Sequence, residues 1–567
     1  MQMQARIREV HQQMKRKSTF ALATLMSLTL VLAACSGGKN EETASPSASA
    51  SATPSTSASA SPAESGGVFP LKDKLTLKAV AHRPPLGPAD FNQQPLIQEL
   101  EKSTNVHVEW DTTIDNDYIE KRNLLLASGN LPDFFFSGRF SDTELLKYGQ
   151  DGTLIPLNDL IEKHMPNLKA ILDSRPDIKA SITAPDGNIY SLPQGEELGS
   201  GQEEIGANPD FLYINKDWLD KLKLQMPTTM DEFTAVLKAF KTQDPNGNGK
   251  PDEIPLTYID NFWTGDIGVL FGAFGVPDKT YRPNNPTFID HLNVVNGKVT
   301  LSAQQEGFKQ AVSYLHNWFK DGLVDLDAFT HDYDSYFARG KTQDETIGAL
   351  IWWDKNDVVG PERGEHWVIV PPFKDMVVKW NNGGGIGRDG VTITKDNKNP
   401  DITAAWLDSF YEPSMAAQAR FGPIGVWFDK DAGGKLIQKT VENPGEFRQK
   451  SAVTNGIGLL LTSMKDKVDY VEPRAQQRID DSIKYYVPQM EKEKFPNLFF
   501  KPEELEVIDR LKPDISNYIN KMRAKWLLKG GVEEEWDEFQ KTLDKMGVQD
   551  LLKAHQSAYD RYLASTK

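Results

Sequence analysis

An α/β fold built on a parallel sheet is what this sequence predicts, on three observations. Strand and helix patterns alternate between residues 75 and 137 in the order β-α-β-α-β, the pattern of parallel strands joined by crossover helices. About 500 residues follow Val68, too many for one ordinary core, so two or three lobes are expected. The chain has 1 cysteine, so no internal disulfide forms and the folded part must be held by its own apolar core.

The amino terminus reads as a targeting segment. Arg6, Arg8, Lys15, Arg16 and Lys17 precede the apolar run 20–34, which ends in Leu32-Ala33-Ala34-Cys35. A basic region, a short apolar region and small residues make a secretory signal. The last four residues resemble the bacterial lipobox, in which the cysteine is lipidated and becomes the new terminus. That implies a signal peptide over 1–35 and a protein lipid-anchored through Cys35 to the extracellular face of the cell membrane. Two acyl chains suffice for this, because each buried CH₂ contributes roughly 0.8 kcal/mol. The plainer reading is an ordinary signal peptide with a chance cysteine. A membrane-spanning helix would need about 18 to 20 apolar residues, more than the run supplies. Met14 is an alternative start.

Residues 36–67 form a tether. Within it, 43–63 contains only Ala, Ser, Thr and Pro, a composition that cannot bury enough apolar surface to offset chain entropy. Roughly 30 such residues span on the order of 30 Å. The formal net charge is −16, and residues 1–35 hold five basic groups and one acid, so the body without them is more acidic still. An acidic body argues against nucleic acid and against anionic lipid surfaces as partners.

The body occupies 68–567. Residues 75–81 alternate as a strand, Pro84 to Pro88 break it, and 96–102 have helical spacing. Residues 106–110 alternate again. The stretch 117–128 places Tyr118 and Leu125 on one helical face and stops at Gly129-Asn130-Leu131-Pro132. Asp133-Phe-Phe-Phe-Ser137 is a short buried strand. Ligands of parallel sheets bind beyond the carboxyl ends of strands, which puts Ser137, Gly138 and Arg139 at a ligand-facing edge. A turn at 185–188, a strand over 211–215 and a helix over 216–222 follow. Thr229 and Glu232 read as a capping box for the next helix.

Several of these segments carry a resemblance. Ala127-Ser-Gly-Asn-Leu-Pro-Asp133, the stretch 152–161, Asp186-Gly-Asn-Ile-Tyr190, the stretch 213–219, Pro227-Thr-Thr-Met-Asp-Glu-Phe233 and the stretch 244–255 occur in the order seen in family 1 extracellular solute-binding lipoproteins of sugar-type bacterial ABC importers, in their large Gram-positive form. The resemblance is strongest over 74–260 and weaker beyond. It implies a two-lobed periplasmic-binding-protein-like fold, with lobes interleaved in sequence, a hinge crossed near 190–215 and 366–390, and ligand held in the interlobe cleft. It also implies an oligosaccharide ligand, an ABC permease as partner and a monomeric body.

Residues 244–255 are the most chemically specific stretch. Oxygen side chains stand at alternate positions, Asp244, Asn246 and Asn248. Gly249 is sixth, Lys250 offers its carbonyl at seventh, and Asp252 and Glu253 are ninth and tenth. Ca²⁺ takes six to eight such oxygens. The loop departs from an EF-hand in placing Pro255 where the bidentate Glu belongs, and a strand follows it instead of a helix. The resembled family has an EF-hand-like loop of this form, which implies one structural Ca²⁺ here. The alternative is an unmetallated Asn-Gly turn.

In the second half, 254–258 and 347–353 read as strands and 308–319 as an amphipathic helix. Trp367-Val-Ile-Val-Pro-Pro372 resembles the family's hinge strand. Gly383 to Gly385 and Val391-Thr-Ile-Thr394 make another crossing, with helices over 401–411 and 415–420. Phe421-Gly-Pro-Ile-Gly-Val-Trp427 lacks the acid that the family's usual segment carries. Residues 468–567 are mostly helical, with 533–535 a solvated acidic run.

Sugar sites need flat apolar faces and planar polar groups. Trp263, Trp352, Trp353 and Trp427 are candidates for the first role, although each alone also reads as a core residue. Alternation along a strand points only one of Trp352 and Trp353 inward. Arg139, Glu197, Asn261 and Asp354 are candidates for the second. A guanidinium such as that of Arg139 pairs well with a carboxylate. No G-x-S-x-G, H-E-x-x-H or phosphate loop occurs. The pairs Glu196-Glu197 and Glu203-Glu204 read as solvated carboxylates, not as a glycosidase pair.

Three readings result. The first is an oligosaccharide-binding module that closes on its ligand and delivers it to a permease. The second is the same fold binding a peptide or another small polar solute. The third is a surface glycoside-active enzyme, which the absence of catalytic motifs disfavours.

Overall fold

Leu75–Arg83 (β1), Val106–Ile114 (β2), Phe134–Phe136 (β3) and Leu192–Glu196 (β4) open the chain's first sheet. The chain then passes to a second sheet through Phe211–Asn215 (β5) and Ile254–Thr257 (β6). A hairpin of Leu292–Val295 (β7) and Lys298–Leu301 (β8) follows, and then Ile347–Trp352 (β9) and Trp367–Ile369 (β10). Ile386–Ile393 (β11) returns to the first sheet. Phe428–Lys430 (β12), Leu436–Gln438 (β13) and Val468–Asp469 (β15) form a small sheet, and Gly458–Leu460 (β14) completes the first. The six-stranded order is β14-β4-β11-β3-β1-β2, and the four-stranded order is β10-β5-β9-β6. This computed structural model describes residues 68–566 apart from 198–209, 261, 263, 280–290, 380–385, 442–443, 454–455, 471–472 and 494. All of these elements belong to one unit, Gly66–Lys567. The signal, the tether and Cys35 lie outside the described residues.

Each strand divides its side chains between two cores because alternate residues point to opposite faces. In β3, Phe134 and Phe136 pack with Trp406 and Leu407 on one face, while Phe135 packs with Tyr118 and Leu145 on the other. In β5, Leu212 and Ile214 join the largest core, and Phe211 and Tyr213 join a smaller one with Trp352 and Tyr486. Both sheets are therefore covered on both faces, as parallel and mixed α/β sheets require.

Helix ends follow local chemistry. Helix Pro95–Thr104 starts on a proline and ends at Asn105 in the left-handed region, and Asp115–Ser128 ends at Gly129 with φ 73°. Thr229 caps helix Met230–Thr242 by accepting from Glu232 N at 3.1 Å. The return bond of the expected capping box goes one residue earlier, with Thr228 N donating to Glu232 Oε2 at 2.8 Å.

Helices Pro502–Lys529, Val532–Lys545 and Val548–Ser565 cover the largest core with Ile515, Trp526, Phe539 and Leu551. The acidic run 533–535 is not simply solvated. Lys525 and Trp526 Nε1 both donate to the Glu535 carboxylate, and Glu533 pairs with Lys309 at 2.6 Å. Before these helices, Phe495, Leu498 and Phe500 pack on the second lobe's core while Phe499 packs on the first lobe's. This segment therefore touches both cores. Among the described residues, no helix is long and apolar enough to cross a membrane.

Candidate functional site

Strand register shows where a ligand would sit. Ala81 pairs with Phe136, Ile386 with Gly195 and Leu460 with Glu196, so the carboxyl ends of β1, β3, β4 and β14 and the amino end of β11 share one edge. In the second sheet, Phe211 pairs with Trp352, Ile369 with Tyr213 and Thr257 with Leu350. The carboxyl ends of β6, β9 and β10 therefore share an edge with the amino end of β5. The passages β4 to β5 and β10 to β11 run between these two edges. Both sheets thus turn toward the same linkers the ends at which ligands of α/β sheets bind.

At the first edge, β3 runs into Ser137 and Arg139, non-glycine residues with φ of 55° and 51°. Such backbone is uncommon and persists only where its surroundings over-determine it. Here Gly138 N donates to Gly390 O at 2.7 Å and Arg139 N to Asp389 O at 3.1 Å. Gly456 packs so closely that a Cβ there would come within 2.8 Å of Ser137 N. Arg139 is exposed, and its Nη1 lies 3.2 Å from His82 Nε2 on β1. Beside this loop, Gln194 Nε2 donates to Asp389 at 3.1 Å, and Arg420 Nε donates to Glu196 at 2.8 Å. Burial opposes ionisation of Glu196, but Arg420 and Arg448 outweigh it and hold the carboxyl below its usual range.

At the second edge, Trp353 follows the carboxyl end of β9 and is half-buried, with the Arg478 guanidinium 4.2 Å from its ring centre. Tyr213 donates its hydroxyl to Trp353 O at 3.1 Å. Asp354 is not open to a ligand. It caps the next helix through Asn356 N at 3.0 Å and accepts from Arg478 at 2.5 Å. Tyr333 is 43% exposed and backed by Phe337 at 4.2 Å and Phe262 at 5.9 Å.

Besides Asp354, packing removes three more sequence candidates. Trp352 is 0% exposed and stacks on Phe262 at 5.9 Å inside the core. Trp427 is 2% exposed and stacks on Phe421 at 5.6 Å. Glu197 is buried against Arg175 at 2.5 Å and accepts from Thr462 N at 3.1 Å. Trp353 and Arg139 keep accessible surface. Asn261 and Trp263 lie outside the described residues, as do Glu203, Glu204 and Gly383 to Gly385. His331 pairs with Asp325 at 3.0 Å.

The 244–253 loop lies apart from both edges, between helix Met230–Thr242 and β6. Asp244 has φ 46° and accepts from Gly247 N at 2.9 Å and Gly249 N at 3.1 Å. Asn246 and Asn248 both turn their amide nitrogens to Asp252, at 3.1 to 3.2 Å. Glu253 has a buried Oε1 with no hydrogen-bond partner. Its carboxyl is pushed up by burial and then by the charges of Asp244 and Asp252. Three carboxylates and two amides thus crowd one turn, and a buried oxygen there lacks a donor. A divalent cation fits that donor set, with the two amides turned to present oxygen. Among the described residues, no group of three His, Cys, Asp or Glu side chains stands ready-gathered for a metal.

Comparison with known proteins bears on the whole chain. The family model for bacterial extracellular solute-binding proteins matches residues 89–417. The fructooligosaccharide ABC transporter substrate-binding protein FusA of Streptococcus pneumoniae is 39% identical over 566 residues, 97% of this chain and 100% of that protein. The S. pneumoniae FusA structure in complex with kestose superimposes with a TM-score of 0.73 at 40% identity, covering 86% of this chain and 99% of that one. A FusA EF-hand mutant in complex with fructo-nystose gives a TM-score of 0.73 at 39% identity, with the same coverage.

Proposed function

Because the chain belongs to the family of bacterial extracellular solute-binding proteins, we propose that it captures a fructooligosaccharide between its lobes and delivers it to an ABC import permease. The observation that carries this reading is the 39% identity to FusA, which spans all of that relative. The family is one of binding proteins, not of enzymes. The convergence of strand ends supports an interlobe site, with Arg139 at one rim and Trp353 and Tyr333 at the other. A ring stacks on an aromatic face, and vicinal hydroxyls take hydrogen bonds from planar polar groups.

The 244–253 loop binds Ca²⁺ in this reading, through Asp244, Asn246, Asn248, the Lys250 carbonyl, Asp252 and Glu253. The FusA EF-hand mutant supports the presence of such a loop in a relative. The ion would be structural, tying the end of a helix to the start of β6. Lipidation at Cys35 would hold a monomeric body at the outer face of the membrane, within reach of its permease.

Calorimetry of the protein without its signal peptide, with calcium present, tests the reading. Kestose and fructo-nystose are expected to bind without being cleaved. Binding of short peptides alone would overturn it in favour of a peptide-binding protein, and cleavage of either sugar would overturn it in favour of an enzyme.

A further inference from the structure

We infer that Arg122 is a positioning residue for ligand capture, acting through the left-handed backbone of Ser137 to Arg139 to aim Arg139 into the site. The inference rests on the solute-binding reading. Arg122 sits on helix Asp115–Ser128 and is 1% exposed. Its Nη1 donates to Gly138 O at 3.0 Å and to Arg139 O at 2.6 Å, and its Nη2 donates to Glu144. The guanidinium also lies 4.4 Å from the centre of the Phe140 ring. The 138 and 139 amides donate to β11 on one side, while Arg122 takes the 138 and 139 carbonyls on the other. One buried cation therefore holds two consecutive peptide groups in a conformation that neither Ser137 nor Arg139 favours by itself.

This arrangement has a use beyond stability. Glycine would take the same φ without strain, and a glycine already stands at 138. A long cationic side chain at 139 instead projects from the carboxyl end of β3, at the edge that faces the linkers. There it meets His82, whose ring is walled by Tyr118 at 5.6 Å. The imidazole Nε2 accepts from the guanidinium, so the pair presents N–H donors to the oxygens of a hydroxyl-rich solute. Arg122 contributes by keeping that pair in register.

The test is a double-mutant cycle read by calorimetry with kestose. Arg139→Asn removes the guanidinium and keeps a residue that tolerates positive φ. It is expected to weaken kestose about tenfold without moving the melting temperature. Arg122→Lys keeps the buried charge but not the two-carbonyl clamp, and Arg122→Met removes both. Each is expected to weaken kestose on the wild-type background and to add little on Arg139→Asn, because neighbouring residues that act together are non-additive. An Arg122 effect that persists in full on Arg139→Asn, or an Arg139→Asn protein that binds kestose as the parent does, would overturn the inference. Amide hydrogen exchange at 138 and 139 in the ligand-free protein gives a second readout. Faster exchange in Arg122→Lys is expected there, and unchanged exchange removes the positioning role whichever solute binds. Failure of the parent to bind kestose would count against the proposed ligand and leave the exchange result standing.

Discussion

Arg388 closes a bidentate ion pair on Asp142, Nε to Oδ1 at 2.7 Å and Nη2 to Oδ2 at 2.5 Å. Its other N–H groups donate to the carbonyls of Ser181, Asn497 and Leu498. One buried side chain on β11 thus fastens the first lobe to the segment that carries Phe499. Arg388→Met strands a carboxylate and three carbonyls, and loss of one partner of a buried pair costs about 3–5 kcal/mol. Urea unfolding is expected to show a loss of that size, exceeding that of Asp142→Asn. Equal losses for the two variants would mean that the carbonyl contacts contribute nothing.

Trp352 and Trp353 are adjacent and should separate cleanly. Trp352→Ala empties a fully buried site and is expected to cost about 3–5 kcal/mol. Trp353→Ala is expected to cost much less, since the ring is half-buried, and to weaken kestose binding. Unfolding curves and calorimetry on the same two proteins check this. A Trp353→Ala protein with intact affinity would remove that ring from the site.

Calcium should stabilise through the 244–253 loop. A ligand that binds only the folded state at 100 times its dissociation constant adds about 2.7 kcal/mol. EDTA is therefore expected to lower the melting temperature, and added Ca²⁺ to restore it, in the parent but not in Asp244→Ala. Superimposable melting curves with and without chelator in the parent would defeat the assignment.

His555 should set part of the acid limb of stability. It is buried in helix Val548–Ser565, between the rings of Phe495 and Phe500, and its Nδ1 donates to Leu551 O at 2.9 Å. Burial lowers its pKa to about 4, with the Lys512 charge adding to the shift. A histidine whose folded pKa lies below its unfolded value contributes stability that is fully present above the unfolded pKa, near 6.5. That stability is lost as pH falls from 6.5 toward 4, because only the unfolded chain takes up the proton. His555→Gln is expected to flatten the fall in melting temperature between pH 6.5 and 4. An unchanged slope would place the acid sensitivity elsewhere.

Much of this molecule was legible from short stretches of sequence. The strands over 75–81, 106–110 and 133–137 and the helices between them appear where periodicity puts them, because alternation and helical spacing report burial directly. The resemblance over 74–260 pointed to a family that comparison then established. The site was legible only in part. Trp352, Trp427 and Glu197 have the chemistry of ligand contacts, but residue type says nothing about whether a face is covered. Phe262, Phe421 and Arg175 cover them, and only Phe421 lies within ten residues of the group it covers. Nothing local in the sequence marks Tyr333 as half-open on an aromatic backing.

By itself the sequence determined what neighbours along the chain control: strand and helix order, helix ends, the oxygen-rich loop and the acidic balance. The tertiary structure alone decided which charged groups are buried and what they hold. Arg122 reaches the carbonyls of 138 and 139, Arg388 reaches those of 497 and 498, and Arg523 reaches the Asp266 carboxylate. The physical reason is that a charge enters a low-dielectric interior only where partners are already placed to receive it. Those partners come from elements that meet only when the sheets and helices have packed.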